Sequence, residues 1–348
     1  MLEKPDLPDE KIIACLQAAY GLRIAEICFL PVGADLNTAV YRGVAEDEAP
    51  YFVKLRKGDF DEIAVTLPQF LHQQGVRQII APLPTRAGQL WAELDGFKLI
   101  LYPFVEGKDV YQAPLPDRQW VEFGEVMRQI HSLRLPAALA RRIPRESYPS
   151  RWRDSVRRCM EHLEDIAYPD PIAIQAGAFL REKRPAILDL VERAEWYALE
   201  LQGRSVELVL CHSDLHAGNL LVTAGGELFI VDWDNPIFAP KERDLMYAGG
   251  AQFAAWRTPS EEERLFYQGY GPVQVDMAAL AYYRCERIVT DIAIYCEQLL
   301  LTNEGGDDRA QALKYLRSNF DPGGTIEAAY RGDKTGDSPQ SSQRALSF

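Results

Sequence analysis

The sequence predicts an α+β protein of two lobes: a small N-terminal β-sheet lobe with helix, and a larger, mainly helical C-terminal lobe. Three observations predict it. Short β-rich runs split by turn residues fill residues 25–105. Apolar residues at helical spacing dominate after Gly107. Between the later helical stretches lies one pair of short strands joined at TAGGE, where Gly225 and Gly226 permit a tight turn. The 348 residues suit about two domains, and 47% hydrophobic against 26% charged residues is an ordinary balance for burying large cores.

The elements follow in order. Residues 8–20 read as an amphipathic helix, with Asp9 and Glu10 in its first turn and Gly21 after its end. ICFLPV, TAVYRGV and PYFVKL are strands. A second helix runs from near Asp61 to about Gln74, and Pro68 inside it is expected to kink it or move its start. QIIAPL, QLWAEL and FKLILYPFV read as further strands, closing the N-terminal lobe at residues 1–105. In residues 106–330, WVEFGEVMRQIHSL and the segments 151–166, 172–201, 261–269 and 276–301 carry the helical period. Residues 331–348, rich in Gly, Ser, Gln and charge, read as a disordered tail.

Composition narrows the partners. A net charge of -13 argues against nucleic acid, because phosphate-backbone binding leans on clustered Lys and Arg. An acidic surface favours a cationic substrate instead. The cysteines at 15, 28, 159, 211, 285 and 296 form no CxxC pair and lie mostly in apolar patterns, as reduced thiols of a cytoplasmic protein do. The five histidines lack zinc-type spacing. MLEKPDLPDEK has no apolar signal core, and no apolar run approaches the roughly 20 residues of a membrane span, so no membrane partner is expected.

The chemistry is concentrated in CHSDLHAGNLLVTAGGELFIVDWD, from Cys211 to Asp234. Asp214, Asn219 five residues later and Asp232 thirteen after that stand in the order of a phosphotransferase active site. Asp214 is the expected base, aiming an acceptor hydroxyl at the γ-phosphate of ATP. Asn219 and Asp232 are the expected Mg2+ ligands, since magnesium takes hard oxygens and completes its shell with water and phosphate. An isolated Asp is more often a helix cap or turn former, and an Asn after Gly218 a left-handed turn residue; the joint spacing disfavours both. Asp234 reads equally as a carboxylate supporting the metal site or a turn former, and it also stands among the candidate substrate contacts. His212 is expected to tie the loop backbone together, and His216 to be a packed loop histidine.

Lys54, on the alternating strand YFVKLRK, is expected to reach the α and β phosphates, with Glu62 of the next helix as its ion-pair partner and Asp61 as a competitor. A surface lysine is the bland alternative for Lys54 alone. The expected phosphate loop, LPVGADLNTAVYRG, holds Gly33 but no GxGxxG, so phosphate contacts there fall to groups near Asp35 to Thr38. FKLILYPFVEG reads as the hinge between lobes. Pro103 lacks an N–H, which leaves Phe104 or Val105 as donor to adenine and the Tyr102 carbonyl as acceptor. Asp244 is expected to accept loop N–H groups. Arg287 and Asp291 stand four apart on a helix, as an ordinary intrahelical pair. Tyr283, Glu286, Asp291 and Tyr295 are the candidates for a pocket taking a cationic, hydroxyl-rich ligand.

With these residues assembled, the chain resembles the aminoglycoside phosphotransferase family, a small-molecule version of the protein-kinase fold. HSDLHAGNLL and IVDWD resemble its catalytic and metal-binding motifs, and FGEVMRQIH the helix before them. The resemblance covers roughly residues 8–325. It implies a bilobal kinase-like fold, Asp214 as catalytic Asp, Asn219 and Asp232 as metal ligands, and Lys54 as the nucleotide-phosphate lysine. It also implies ATP- and Mg2+-dependent phosphorylation of a hydroxyl on an aminocyclitol or aminoglycoside antibiotic such as spectinomycin. The alternatives on the same fold are a metabolic kinase of choline, homoserine or a sugar-like compound, and a non-catalytic nucleotide-binding protein.

Overall fold

A computed structural model describes residues 3–33, 35, 37–164, 168, 170–302 and 305–331. The proposed tail lies outside the described residues, save for Arg331. Helix α1 (Asp9–Tyr20) ends at Gly21, whose φ of 75° is the left-handed conformation that closes a helix without a Cβ penalty. Strands β1 (Ile24–Leu30), β2 (Thr38–Ala45), β3 (Pro50–Lys57), β4 (Ala92–Leu94) and β5 (Phe97–Pro103) form one antiparallel sheet in the order β1-β2-β3-β5-β4. Helix α2 (Ile63–Gln73) lies between β3 and β4 and continues through the buried Pro68, forgoing one i→i−4 bond there.

QIIAPL, expected as a strand, is a connecting segment. Pro82 and Pro84 have no N–H to give a ladder, and the segment meets strands only through isolated bonds: the Gln78 carbonyl accepts the Ile230 N–H at 2.8 Å, and the Leu83 N–H donates to the Leu101 carbonyl at 2.7 Å.

In the second lobe β6 (Gly107–Asp109) precedes helices α3 (Asp117–His131), α4 (Ala137–Ala140), α5 (Arg151–His162) and α6 (Pro171–Gln202). Strand β7 (Val209–Cys211) leads through a 3-10 turn (Ala217–Asn219) to the expected pair β8 (Leu220–Thr223) and β9 (Leu228–Ile230), then to β10 (Ile237–Ala239). β6 pairs with β8, and β7 with β10. Helices α7 (Glu242–Leu245), α8 (Pro259–Tyr270), α9 (Met277–Cys296), α10 (Gly306–Ser318) and α11 (Thr325–Arg331) complete the lobe. The sequence pattern revealed neither α10 nor α11. No helix among the described residues is long and apolar enough to cross a membrane.

Helix α2 is not a loose appendage of the sheet. Ile63, Leu67 and Leu71 join the same apolar cluster as Phe123, Met127 and Ile130 of α3 and Leu220 and Ile230 of the central strands. Helices α3 and α8 approach until their backbones touch. A Cβ on Gly124 would lie 2.1 Å from the Phe266 carbonyl oxygen, and one on Gly269 1.8 Å from that of Val121. This contact places His131, at the end of α3, beside the catalytic segment.

Glu262 of α8 is buried and accepts the Gly249 N–H at 3.0 Å, and burial pushes its carboxyl up to about 7. The folded pKa therefore lies above the ordinary 4.5, so the folded chain binds the proton more tightly and stability falls as pH rises from about 4.5 to about 7. Glu262→Gln keeps an acceptor oxygen and removes the charge. At pH 8 it is expected to raise the unfolding free energy by on the order of 2–3 kcal/mol, with almost no change near pH 4.5. Urea unfolding at both pH values checks this; an equal gain at both would rule out the titration.

Candidate active site

The loop between β7 and β8 is held by a buried carboxylate. Asp244 accepts the N–H groups of His212 at 2.8 Å and Ser213 at 2.7 Å. Its other neighbour is His131 Nε2 at 3.1 Å, and His131 is steadied in turn by the Tyr270 hydroxyl at 2.8 Å. His212 ties the loop across itself, as expected: Nε2 donates to the Val231 carbonyl at 2.9 Å and Nδ1 accepts the Asp214 N–H at 3.2 Å. Ser213 is left-handed, with φ 72°, and the Tyr247 hydroxyl grips its carbonyl at 2.7 Å. A non-glycine residue holds that conformation only where its surroundings over-determine it. Here the hydrogen bonds to Asp244, Val231 and Tyr247 and the one between His212 and Asp214 do so.

Asp214 thereby projects from a rigid turn. Its Oδ1 accepts from Arg287 at 2.8 Å, and His216 Nε2 stands 3.8 Å from Oδ2. His216 Nδ1 caps the 3-10 turn by accepting the Gly218 N–H at 3.0 Å. Burial would raise the Asp214 pKa, but Arg287, His216 and His212 outweigh it and hold the carboxyl below its ordinary 3.8. Arg287 also meets Asp291 at 3.3 Å, so the expected intrahelical pair forms, yet its guanidinium reaches Asp214 as well. That contact spans 73 residues, and no sequence signal announced it.

Asn219 donates Nδ2–H to the Asp214 carbonyl at 2.8 Å, which leaves its carbonyl oxygen free. Its own backbone carbonyl accepts the Val231 N–H at 3.0 Å, which brings the segment just after β9, where Asp232 follows, alongside it. Asp232 is also left-handed, with φ 66°. Trp233 pins this segment: Nε1 donates to the Ile230 carbonyl at 3.2 Å, and its ring packs on His212 with centroids 4.5 Å apart.

Lys54 reaches across from β3, at 3.2 Å from Asp232 Oδ1 and 2.9 Å from both oxygens of Asp234. Burial works against its ammonium, but these two carboxylates hold its pKa above the ordinary lysine value. Asp234 is paired with Lys54 and Arg56.

Several expectations need correction. Glu62 does not meet Lys54: it pairs with Arg142 at 3.0 Å, and Asp61 with the same guanidinium at 3.3 Å. Glu286 is 5% exposed and pairs inside the lobe with Arg153 at 2.7 Å, while Tyr283 is fully buried and bonds to Glu146 at 3.2 Å. α9 turns both inward, Glu286 onto Arg153 of α5 and Tyr283 onto Glu146 and the Arg243 guanidinium, so neither lines an open pocket. Asp291 and Tyr295, on the face shared with Arg287, are the two substrate candidates that lie towards Asp214. Tyr111 and Tyr315, unremarked in the sequence, are half-exposed on the same side; the Tyr111 ring lies 6.2 Å from that of His216.

The hinge also differs in one atom. Phe104 donates its N–H to Pro50 on β3 at 3.4 Å. Antiparallel ladders alternate, so Tyr102, opposite Phe52, also turns its backbone towards β3. Leu101, one residue out of phase, turns its carbonyl away from β3 to Leu83. Pro103 has the Leu101 parity. The outward pair is therefore the Pro103 carbonyl and the Val105 N–H, while the Tyr102 side chain remains near Lys54.

The model of the phosphotransferase enzyme family matches residues 29–283. The crystal structure of spectinomycin phosphotransferase APH(9)-Ia with ADP and spectinomycin is 37% identical, covers 95% of this chain and 99% of that one, and superposes with a TM-score of 0.88. Its AMP-bound complex gives 36% identity, 92% and 98% coverage and a TM-score of 0.82. Protein StrN of Streptomyces griseus is 25% identical over 223 residues, 62% of this chain and 67% of its own. An antiparallel sheet lobe set on a helical lobe, with Asp214, Asn219, Asp232 and Lys54 gathered between them, thus has its counterpart in solved enzymes, and this chain belongs to the phosphotransferase enzyme family, with that family's bilobal, kinase-like fold.

Proposed function

We propose that this protein transfers the γ-phosphate of ATP, with Mg2+, to a hydroxyl of an aminocyclitol antibiotic, with spectinomycin as the acceptor. The observation that carries the reading is the 37% identity to a spectinomycin phosphotransferase over 95% of the chain. The surroundings of Asp214 agree with a cationic acceptor. Tyr111, Tyr295 and Tyr315 lie near one another, and Tyr295 lies near Asp291; aromatic rings and a carboxylate are groups that attract an amine.

Adenine would meet the Val105 N–H and the Pro103 carbonyl at the hinge, and Lys54 the phosphates. The Asn219 carbonyl oxygen, left free by its amide's bond to Asp214, and the Asp232 carboxylate are hard donors of the kind Mg2+ takes. Bound there, the ion would neutralise phosphate charge as the transferring group passes through its transition state. Asp214 orients the acceptor hydroxyl in line. Held below its ordinary pKa, it is a weak base, which suits a loose transition state in which the hydroxyl proton leaves late. Its proton then passes to the Asp214 carboxylate.

The test is a coupled nucleotide-turnover assay with Mg-ATP and spectinomycin, read also by mass spectrometry. The expected product is one phosphate heavier than the acceptor. ATP binding without that product would sink the antibiotic reading and favour choline-, homoserine- or sugar-like acceptors, which the same assay screens.

A further inference from the structure

A lysine that must point at phosphates needs a carboxylate to hold it, and a helix residue such as Glu62 is where sequence reasoning looks for one. Here Glu62 is committed elsewhere. It and Asp61 bind Arg142 of the other lobe at 3.0 and 3.3 Å. The helix behind it is anchored as well, because Ile63, Leu67 and Leu71 belong to the core of the catalytic lobe. Turning Glu62 to Lys54 would break its pair with Arg142.

Asp234 holds Lys54 with both oxygens at 2.9 Å, in a setting where the two side chains are 15% and 12% exposed. Arg56, two residues along β3 and so on the same face as Lys54, closes on Asp234 from the other side. Arg56 also reaches Asp35 at 3.4 Å. That carboxylate organises the β1–β2 loop, accepting the Asn37 N–H at 2.8 Å and the Thr38 hydroxyl at 2.7 Å.

We propose that Asp234 is the positioning carboxylate of the phosphate site: it anchors Lys54 in place of Glu62 and, through Arg56 and Asp35, sets the β1–β2 loop. This rests on the nucleotide reading given above. Its consequence is geometric. The anchor of Lys54 and the proposed metal ligand Asp232 sit on one three-residue segment pinned by Trp233, so they are fixed as one body. Helix α2 becomes a strut between the lobes.

The experiment uses the full chain with Asp234→Asn, Glu62→Gln, Lys54→Met and the Asp234→Asn/Lys54→Met pair. In nucleotide-free protein, hydrogen exchange at Asn37 and Thr38 is expected to quicken at least about threefold in Asp234→Asn and to stay unchanged in Glu62→Gln. In turnover, Asp234→Asn is expected to lower kcat at least about tenfold with the ATP KM within about threefold, and to add less than about twofold to the loss in Lys54→Met. Loss of kcat in Glu62→Gln but not in Asp234→Asn would overturn the proposal. So would multiplicative losses in the pair, or a tenfold higher magnesium requirement in Asp234→Asn, which would make Asp234 a metal ligand. If wild-type protein phosphorylates no acceptor, the functional reading fails while the exchange experiment still decides the anchor.

Discussion

Asp214→Asn is expected to lower kcat by about 10³-fold, within the range that a positioned acid–base group supplies. Asn has the same shape but cannot take the hydroxyl proton, and its amide would present a donor towards Arg287. Arg287 keeps Asp291 at 3.3 Å, and the loop keeps its bonds to Asp244, so the fold should survive. Lys54, Asp232 and the hinge are untouched, so ADP affinity by calorimetry should change less than about threefold. The pH profile sharpens this. Arg287 holds the Asp214 carboxyl below 3.8, so the base is ionised, and the acid limb due to it begins only below that value. A fall in kcat between pH 7 and 5 would have to come from another group. Near-normal turnover in Asp214→Asn would remove Asp214 from the reaction.

The second large effect concerns a residue that the sequence pointed to substrate. Glu286→Ala is expected to destabilise the protein by about 3–5 kcal/mol, because it leaves the Arg153 guanidinium buried without its closest counter-charge. Arg153 is 1% exposed, stands 2.7 Å from Glu286, and has only Glu195 at 3.5 Å as a second carboxylate. Urea unfolding measures the loss. The double variant Glu286→Leu/Arg153→Met should recover most of it, since removing both charges removes the desolvation cost. Where Glu286→Ala is folded, the acceptor KM should match wild type. A raised KM with unchanged stability would return Glu286 to the acceptor site and contradict the burial argument.

Much of the fold was legible because local pattern decides local structure. The helix after Pro8, the strands around Tyr41 and Val53, and the strand pair joined at TAGGE all formed where turn residues and periodicity placed them. The failures have local causes too. QIIAPL has the apolar content of a strand, but Pro82 within it and Pro84 just after it deny the stretch ladder donors. β6 begins at Gly107, in a stretch without strand pattern, and pairs only because β8 lies alongside. In the hinge, which carbonyl faces outward depends on ladder parity. That was invisible until the register of β3 on β5 was known.

By itself the sequence determined the order and spacing of Asp214, Asn219 and Asp232. A short loop and a tight strand pair lie between them, and such segments bring near neighbours in the chain together. It also determined the identity of Lys54 as a strand residue on an alternating face. Only the tertiary structure decided which charge answers which. Lys54 and Asp234 are 180 residues apart, Arg153 and Glu286 133, Glu62 and Arg142 80, Asp214 and Arg287 73. Coulomb attraction depends on distance through space and on the dielectric between the groups, and neither is written in the spacing of residues along a chain.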